Sequence, residues 1–191
     1  MKKSDQLRIA VAIIFLIGGI YVAYLAFVAP RHIINTDTTS QNQFVKQHAA
    51  QVNPQNTLII PKISVDAPIN PGGRATLDNG AIWHRQPHNG DPVDGGNFVL
   101  AGHRYQFLPT PQQTIQSSVL YDLDKLQIGD TILVDWLKKR YSYRVTKTYS
   151  VTPRAVEIEK RSEQSKMTLY TCTLEGSADG RIVIEAKPTE Q

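Results

Sequence analysis

Two patterns of apolar residues divide the chain. From Ile9 to Ala29 there is no charged residue, and an apolar run of this length is long enough to cross a bilayer as a helix. After Pro54 the pattern changes to short β-rich runs separated by Gly, Pro, Asn and Asp, which is typical of an all-β sandwich or barrel. Residues 31–56 are rich in Asn, Gln, Thr and Ser and show no sustained periodicity. The chain is therefore predicted to contain an anchor, a polar linker and one β domain.

The β domain is predicted to contain several short strands and few helices. The longest run, 141–151, alternates between a mostly apolar and a mostly polar face, as a half-buried strand does. Residues 119–126 instead space their large apolar side chains three and four apart, which predicts a short packing helix. The Gly- and Pro-rich stretches 71–80 and 87–96 are predicted to be turns. The candidate strands are 57–60, 67–69, 97–101, 131–135, 141–151, 166–173 and 181–186.

The charges around the apolar run predict its orientation. Lys2, Lys3 and Arg8 precede it, so the positive-inside rule leaves the short tail in the cytoplasm and the domain outside. A cleaved signal peptide is the alternative, but its apolar region is shorter and no clear small-x-small cleavage site follows this one. We expect residues 1–30 to be the tail and transmembrane anchor, 31–56 the linker and 57–191 the β domain.

The net charge argues against a nucleic-acid partner. The whole chain carries +4, with 21 Lys/Arg and 17 Asp/Glu; three of those basic residues and one acidic residue lie before residue 31, which leaves +2 for the remainder. Nucleic-acid binding domains concentrate positive charge in a patch. Here the run 138–140 is the only basic cluster in the sequence, and we interpret it as a solvated strand entry.

Cys172 is the only cysteine in the sequence, so it has no possible partner within the chain. Exported proteins meet oxidising conditions, where an unpaired thiol needs an explanation. One explanation is a small buried hydrophobe in a strand. The other is a nucleophile, because Cys172 ends the β-type run 167–172 and stands immediately before a loop with Gly176 and Gly180.

The segments around three residues resemble the motifs of one enzyme family. Thr168-Leu-Tyr-Thr-Cys172 resembles the Thr-Leu-x-Thr-Cys signature of sortases, and Arg181 follows nine residues later. Upstream, Leu100-Ala-Gly-His103-Arg resembles the histidine segment of the same family, so histidine, cysteine and arginine occur in the family's order. The resemblance implies an all-β fold, a closed sortase-type barrel of about eight strands with short helices, preceded here by one N-terminal transmembrane helix.

The resemblance also implies an activity. Cys172 would be the nucleophile, His103 the acid and later the base, and Arg181 an electrostatic partner; Thr171 matches a family position that contacts substrate or oxyanion. A nearby imidazolium or guanidinium raises the thiolate fraction of a cysteine. In sortases the thiolate cleaves a C-terminal sorting motif (LPXTG-like) through a thioester, and the protein is transferred to an amine of a cell-wall precursor or a pilin lysine. The catalytic domain would then act outside the cell membrane.

Two other functions remain open from the sequence. A secreted cysteine peptidase shares the first half-reaction and resolves the acyl-enzyme with water. A non-catalytic membrane-anchored β domain would use Cys172 only for packing. No cofactor is predicted, because the remaining histidines show no metal-ligand spacing, and the sequence does not predict whether calcium is required. These histidines are His32, His48, His84 and His88.

Overall fold

The computed structural model describes residues 3–27, 44, 48 and 51–189, which belong to two compact units, Met1–Asn35 and Thr36–Gln191. In the first unit, helix α1 spans Lys3–Phe27. Within the described ranges, no helix combines the length and the apolar character needed to cross a bilayer. Much of the predicted linker, residues 31–43, lies outside the described residues.

The second unit is built from β-strands joined by short helices and turns. Helix α2 spans Pro111–Ser117, and 3₁₀ helices include Arg74–Asn79, Leu123–Lys125 and Val156–Glu159. The strands of the described residues are β1 Thr57–Ile60, β2 Val65–Asn70, β3 Ile82–Arg85, β4 Gly90–Asp91, β5 Gly95–Ala101, β6 Thr131–Trp136, β7 Lys139–Val151, β8 Lys166–Thr173 and β9 Gly176–Pro188.

Eight of these strands close into a barrel, as the sequence predicted. Their order is β3-β2-β1-β6-β7-β9-β8-β5, and pairing of β3 with β5 completes the ring. Strand β4 adds two residues that pair with the start of β5. Two neighbouring pairs are parallel, β2 with β3 and β5 with β8, and the other pairs of the ring are antiparallel.

The barrel interior is the main hydrophobic core. Phe98 of β5, Leu169 of β8 and Ile184 of β9 are among its fully buried side chains. Apolar residues alternate along each strand toward this interior, because successive side chains point to opposite faces. A second, smaller cluster lies on the other face of β5, β8 and β9; it consists of Val99, Ala101, Ile158, Tyr170 and Val183.

The basic run 138–140 lies in the hairpin between β6 and β7. Leu137 and Lys138 have positive φ values of 51° and 63°, and they form the two-residue loop between paired Trp136 and Lys139. Arg140 donates two hydrogen bonds to the fully buried carboxylate of Asp135, at 2.7 and 2.8 Å. The run is therefore a strand entry, as we interpreted it from the sequence, with one arginine in a buried ion pair.

Several elements differ from the sequence prediction. Strand β3 and helix α2 were not predicted, because the four residues of β3, Ile-Trp-His-Arg, do not alternate between apolar and polar and because α2 follows a Pro-rich loop. The segment 119–126 forms turns and a 3₁₀ helix, Leu123–Lys125. Its leucines nevertheless pack as the spacing predicted, since Leu120 and Leu126 are buried in the core.

Candidate active site

Cys172 and Arg181 face each other across two neighbouring strands. In the antiparallel pair of β8 and β9, Cys172 lies directly opposite Arg181, and Tyr170 lies opposite Val183. Residues in such positions have Cβ atoms about 5 Å apart. Because side chains alternate, Cys172 and Tyr170 share the outer face of the barrel, whereas Leu169 points into the core. The thiol is half-buried and unpaired.

His103 reaches the same place from the parallel neighbour of β8. Strand β5 ends at Ala101, and the Gly102 amide donates a hydrogen bond to the Tyr170 carbonyl at 3.3 Å. The His103 carbonyl accepts a hydrogen bond from the Leu120 amide at 2.9 Å. A side chain at Gly102 would place Cβ only 2.7 Å from Leu120 Cδ1. Glycine therefore allows the close packing that holds the backbone of the His103 segment beside the end of β8.

Thr171 ties the histidine segment to the cysteine strand. Its hydroxyl donates a hydrogen bond to the Gly102 carbonyl at 2.8 Å, and the residue is only 1% exposed. Thr171 lines the groove next to Cys172, but in this structure its hydroxyl is used within the protein. The contact with substrate therefore stays a prediction, and the observed role is to hold the segments of His103 and Cys172 together.

The Arg181 guanidinium lies against the first residues of β9. Its Nη1 donates hydrogen bonds to the carbonyls of Ser177 and Gly180, at 2.9 and 2.8 Å. These two bonds restrict the side chain. They involve one of its three nitrogens, so the guanidinium keeps donors that can bind an incoming carbonyl.

All four predicted residues line a single groove of about 610 Å³. The turn between β8 and β9 and the connection from β7 to β8 form two of its borders. Large apolar side chains on its rim are half or more exposed: Tyr105 at 50%, Val156 at 70% and Leu174 at 55%. A concave, partly apolar groove beside a thiol fits an extended peptide segment.

One wall of the groove is held in place by a buried asparagine. Asn97 of β5 is fully buried, and its Nδ2 donates hydrogen bonds to the carbonyls of Ile158 and Lys160, at 2.9 and 2.8 Å. Its Oδ1 accepts a hydrogen bond from the Thr168 hydroxyl at 2.7 Å. The 3₁₀ helix Val156–Glu159 is thereby fixed to the barrel.

The floor of the groove contains an ion pair. The carboxylate of Glu159 lies 2.8 Å from Nε of Arg85 and accepts a hydrogen bond from the Tyr170 hydroxyl at 2.5 Å. Arg85 also lies over the Trp83 ring, 4.4 Å from its centroid. Burial, with added effects of the hydrogen bond to Glu159 and of its charge, raises the pKa of Tyr170 far above its usual range. The Tyr170 phenol therefore keeps its proton and donates the hydrogen bond to Glu159.

Sequence analysis missed two charged residues next to His103. Arg104 is 5% exposed and pairs with Asp124 at 2.9 Å, while its Nε has no hydrogen-bond partner among the described residues. Asp78, in the 3₁₀ helix Arg74–Asn79, has its Oδ1 3.4 Å from Nε2 of His103. Asp78 lies in a stretch predicted only as turns, and no local motif marks it. Across the described part of the chain, no three His, Cys, Asp or Glu residues are grouped to hold a metal ion.

Comparison with known proteins identifies relatives of this chain. A family model described as the Sortase domain matches residues 58–189. Sortase A of Streptococcus agalactiae is 30% identical over 135 residues, which are 68% of this chain and 51% of that protein. Sortase SrtE1 of Streptomyces coelicolor is 31% identical over 150 residues, 70% of this chain and 40% of that protein. The matched part is thus about half or less of the length of these relatives.

Solved structures share the fold. Sortase E1 from Streptomyces coelicolor, with a tripeptide in its active site, is 26% identical with a TM-score of 0.60; the match covers 74% of this chain and 92% of that one. Sortase C1 of GBS pilus island 1 is 21% identical with a TM-score of 0.60, over 85% of this chain and 89% of that one. The barrel described above is the fold of these proteins.

Proposed function

This chain belongs to the sortase family, and we propose that it is a cysteine transpeptidase whose catalytic residues are Cys172, His103 and Arg181. The observation that carries the proposal is their convergence: the distant segment of His103 lines the same groove as Cys172 and Arg181, which lie directly opposite each other on β8 and β9. A buried structural cysteine would need neither a groove nor an imidazole and a guanidinium in the same groove.

The reaction proceeds in two half-reactions. The Cys172 thiolate attacks a peptide carbonyl, and the tetrahedral intermediate collapses as the C–N bond breaks and His103 gives a proton to the leaving amine. This leaves a thioester. An acceptor amine then attacks the thioester and loses a proton to His103, and the C–S bond breaks to release the new amide and the thiolate.

Arg181 stabilises charge in both half-reactions. It stays cationic throughout, so it does not transfer protons, but its donors can hold the substrate carbonyl or the developing oxyanion. The bonds from Nη1 to the Ser177 and Gly180 carbonyls support this role, because they restrict the guanidinium before substrate arrives. A donor positioned in advance needs little reorganisation during the reaction.

We propose that the donor substrate is a protein with a C-terminal sorting motif (LPXTG-like), and that the acceptor is an amine of a cell-wall precursor or a pilin lysine. The groove supports a peptide donor, because its rim presents Tyr105, Val156 and Leu174 while its floor has the polar pair Arg85 and Glu159. The apolar rim can contact side chains of an extended peptide, and the polar pair can bind its backbone.

The location is also part of the proposal. The uncharged run from Ile9 to Ala29 and the basic residues before it support a single-pass anchor with the catalytic domain outside the cell membrane. This argument rests on the sequence alone, because no helix within the described residues has the length and apolar character of a membrane span. We expect the full chain to stay with membranes in alkaline carbonate, and a protease added to intact cells to digest the barrel domain. Release of the chain by carbonate would contradict the anchor.

The activity is tested with the full chain in detergent and a panel of sorting-motif peptides. We expect cleavage with an added amine such as triglycine to give the ligated peptide, detected by mass spectrometry, and a thioester on Cys172 without the amine. Cys172→Ala should give neither product and keep its circular dichroism spectrum. Cleavage by the native chain that never yields an amide with any amine would indicate a peptidase. A folded chain that forms no thioester would indicate a binding module.

A further inference from the structure

One contact of His103 is not explained by the catalytic trio. Nε2 of His103 lies 3.4 Å from Oδ1 of Asp78, and it is the ring nitrogen that has a hydrogen-bond partner within the described residues. The His103 side chain is 21% exposed and that of Asp78 is 63% exposed. The contact therefore lies at the border of the groove, on the side of the imidazole that the 3₁₀ helix Arg74–Asn79 approaches.

The Asp78 backbone is held in place by its neighbours. Leu77 is buried and lines the groove, and the Gly80 amide donates a hydrogen bond to the Leu77 carbonyl at 3.1 Å. Gly80 has a φ of +70°, and a Cβ there would lie 2.3 Å from the Gln116 carbonyl oxygen. Only glycine suits this conformation and this close approach to α2. The carboxylate thus extends from a short helix that is fixed at both sides of Asp78.

The imidazole is fixed from the other direction. The Thr171 hydroxyl holds the Gly102 carbonyl, and the Leu120 amide holds the carbonyl of His103 itself. With the backbone of both partners held, the distance between the ring and the carboxylate is set by the fold. The fold therefore holds Asp78 and His103 in contact.

The carboxylate of Asp78 is available to the imidazole. The neighbouring guanidinium of Arg104 is paired with Asp124 at 2.9 Å. Gln106 Nε2 approaches the same Oδ1 of Asp78 at 3.5 Å, a neutral contact that leaves the negative charge in place. An ionised carboxylate is only an acceptor, so its partner nitrogen must be the one that bears hydrogen.

We propose that Asp78 is a positioning residue that holds Nε2 of His103 as the N–H, so that Nδ1 is the nitrogen that exchanges protons with the leaving and incoming amines. In a neutral imidazole, the hydrogen bond made by one nitrogen determines which nitrogen remains basic. This inference rests on the proposed acid–base role of His103 and adds a fourth residue to it. When His103 is protonated, the same carboxylate attracts the imidazolium and keeps its ring orientation.

Kinetics of Asp78 variants test the proposal. Asp78→Ala should lower kcat about tenfold, a part of the 10²–10⁴ that acid–base catalysis contributes, and should leave KM for the sorting peptide within about twofold, as for an interaction made only in the transition state. Asp78→Asn keeps an acceptor oxygen but not the charge, and its kcat should lie between those of Asp78→Ala and the native chain. Asp94→Ala, which removes an exposed carboxylate in the turn between β4 and β5, away from the groove, is the matched control and should match the native chain.

A second measurement reports the ring directly. At alkaline pH, where the imidazole is neutral, ¹⁵N spectra of the full chain should show His103 as a single Nε2–H form, assigned by comparison with His103→Gln. In Asp78→Ala the two ring shifts should move toward those of a free, interconverting imidazole. An Nδ1–H form in the native chain, or unchanged kcat in Asp78→Ala beside an active native chain, would overturn the inference. An inactive native chain would instead overturn the proposed function.

Discussion

Cys172 and Arg181 occupy opposite positions on the antiparallel strands β8 and β9, so the thiol and the guanidinium are neighbours by backbone register. The register places both on the outer face of the barrel, where the groove lies. The relationship needs no long-range contact, because the two strands are joined by a tight turn between Thr173 and Gly176. Replacing either side chain should therefore change the chemistry and leave the strand pairing intact.

Arg181→Gln should slow formation of the thioester about 10²–10³-fold, the usual loss when one oxyanion donor is removed. Arg181→Lys should recover only part of the rate, since an ammonium lacks the planar fork of the guanidinium. Rapid-quench measurement of the acyl-enzyme would show both effects. Arg144→Gln is a matched control, because Arg144 also donates to a backbone carbonyl, that of Gly129, but does not line the groove. Native rates in Arg181→Gln would remove Arg181 from the mechanism.

Thr171→Val should lower the free energy of unfolding by about 1–3 kcal/mol, because it leaves the buried Gly102 carbonyl without its donor. The transpeptidation rate should fall as well, since His103 follows Gly102 directly. Thr171→Ser keeps the hydroxyl and should retain most of the stability and most of the transpeptidation rate. Urea unfolding and steady-state kinetics would measure the two quantities. A Val variant of native stability with a raised KM would favour direct substrate contact by Thr171 over the structural role.

His84 should make the stability of the domain depend on pH. It is buried inside the barrel, with Phe98 and Trp136 against its ring, and burial lowers its pKa below 6.5 despite its bond to the Gly90 carbonyl. As the pH falls below 6.5, His84 is protonated in the unfolded chain before it is protonated in the folded chain. Stability should then fall with falling pH, by at most about 1.4 kcal/mol per pH unit, until the folded histidine is protonated as well.

The change His84→Gln removes this titration and keeps a donor for the Gly90 carbonyl. Unfolding free energies of the native chain and the variant should diverge as the pH falls below 6.5. His48 contributes with the opposite sign: burial lowers its pKa, but bonds to the Phe44 carbonyl and Asp66 outweigh this and raise it. That contribution is common to both proteins and cancels in the difference. Parallel pH profiles would show that the pKa of His84 is the same in the folded and the unfolded chain.

Asn97→Ala should release the groove wall. It removes the donors to the Ile158 and Lys160 carbonyls, so trypsin should cleave the native-state protein faster after Arg154, Lys160 or Arg161. KM for the sorting peptide should rise, because the wall must then be ordered on binding. Asn89→Ala, which loses a single bond to the Glu159 carbonyl at 2.7 Å, should give a smaller change. Equal cleavage of Asn97→Ala and the native chain would show that other contacts hold the wall.

The sequence was most informative where neighbours along a strand share a role. Alternation identified β7, the β-type composition of its run identified β8, and the motif around Cys172 pointed to the residues that line the groove. Strand β3 was not predicted, because one of its two inward-facing residues, His84, is polar and its outward-facing residues are half-buried. Asp78 could not be found from the sequence, since its contact with His103 depends on how the turn between β2 and β3 packs against α2.

The contacts that assemble the site differ in the sequence separation of their residues. The thiol and the guanidinium meet across a hairpin, which forms on the microsecond scale of local structure. The imidazole arrives through a parallel pairing, β5 with β8, in which the bonded residues Gly102 and Thr171 are 69 positions apart. Such distant contacts form late in folding. A chain caught before barrel closure would therefore carry a nucleophile with its cationic neighbour and no proton donor, and would acquire the ability to release an amine only on completing its fold.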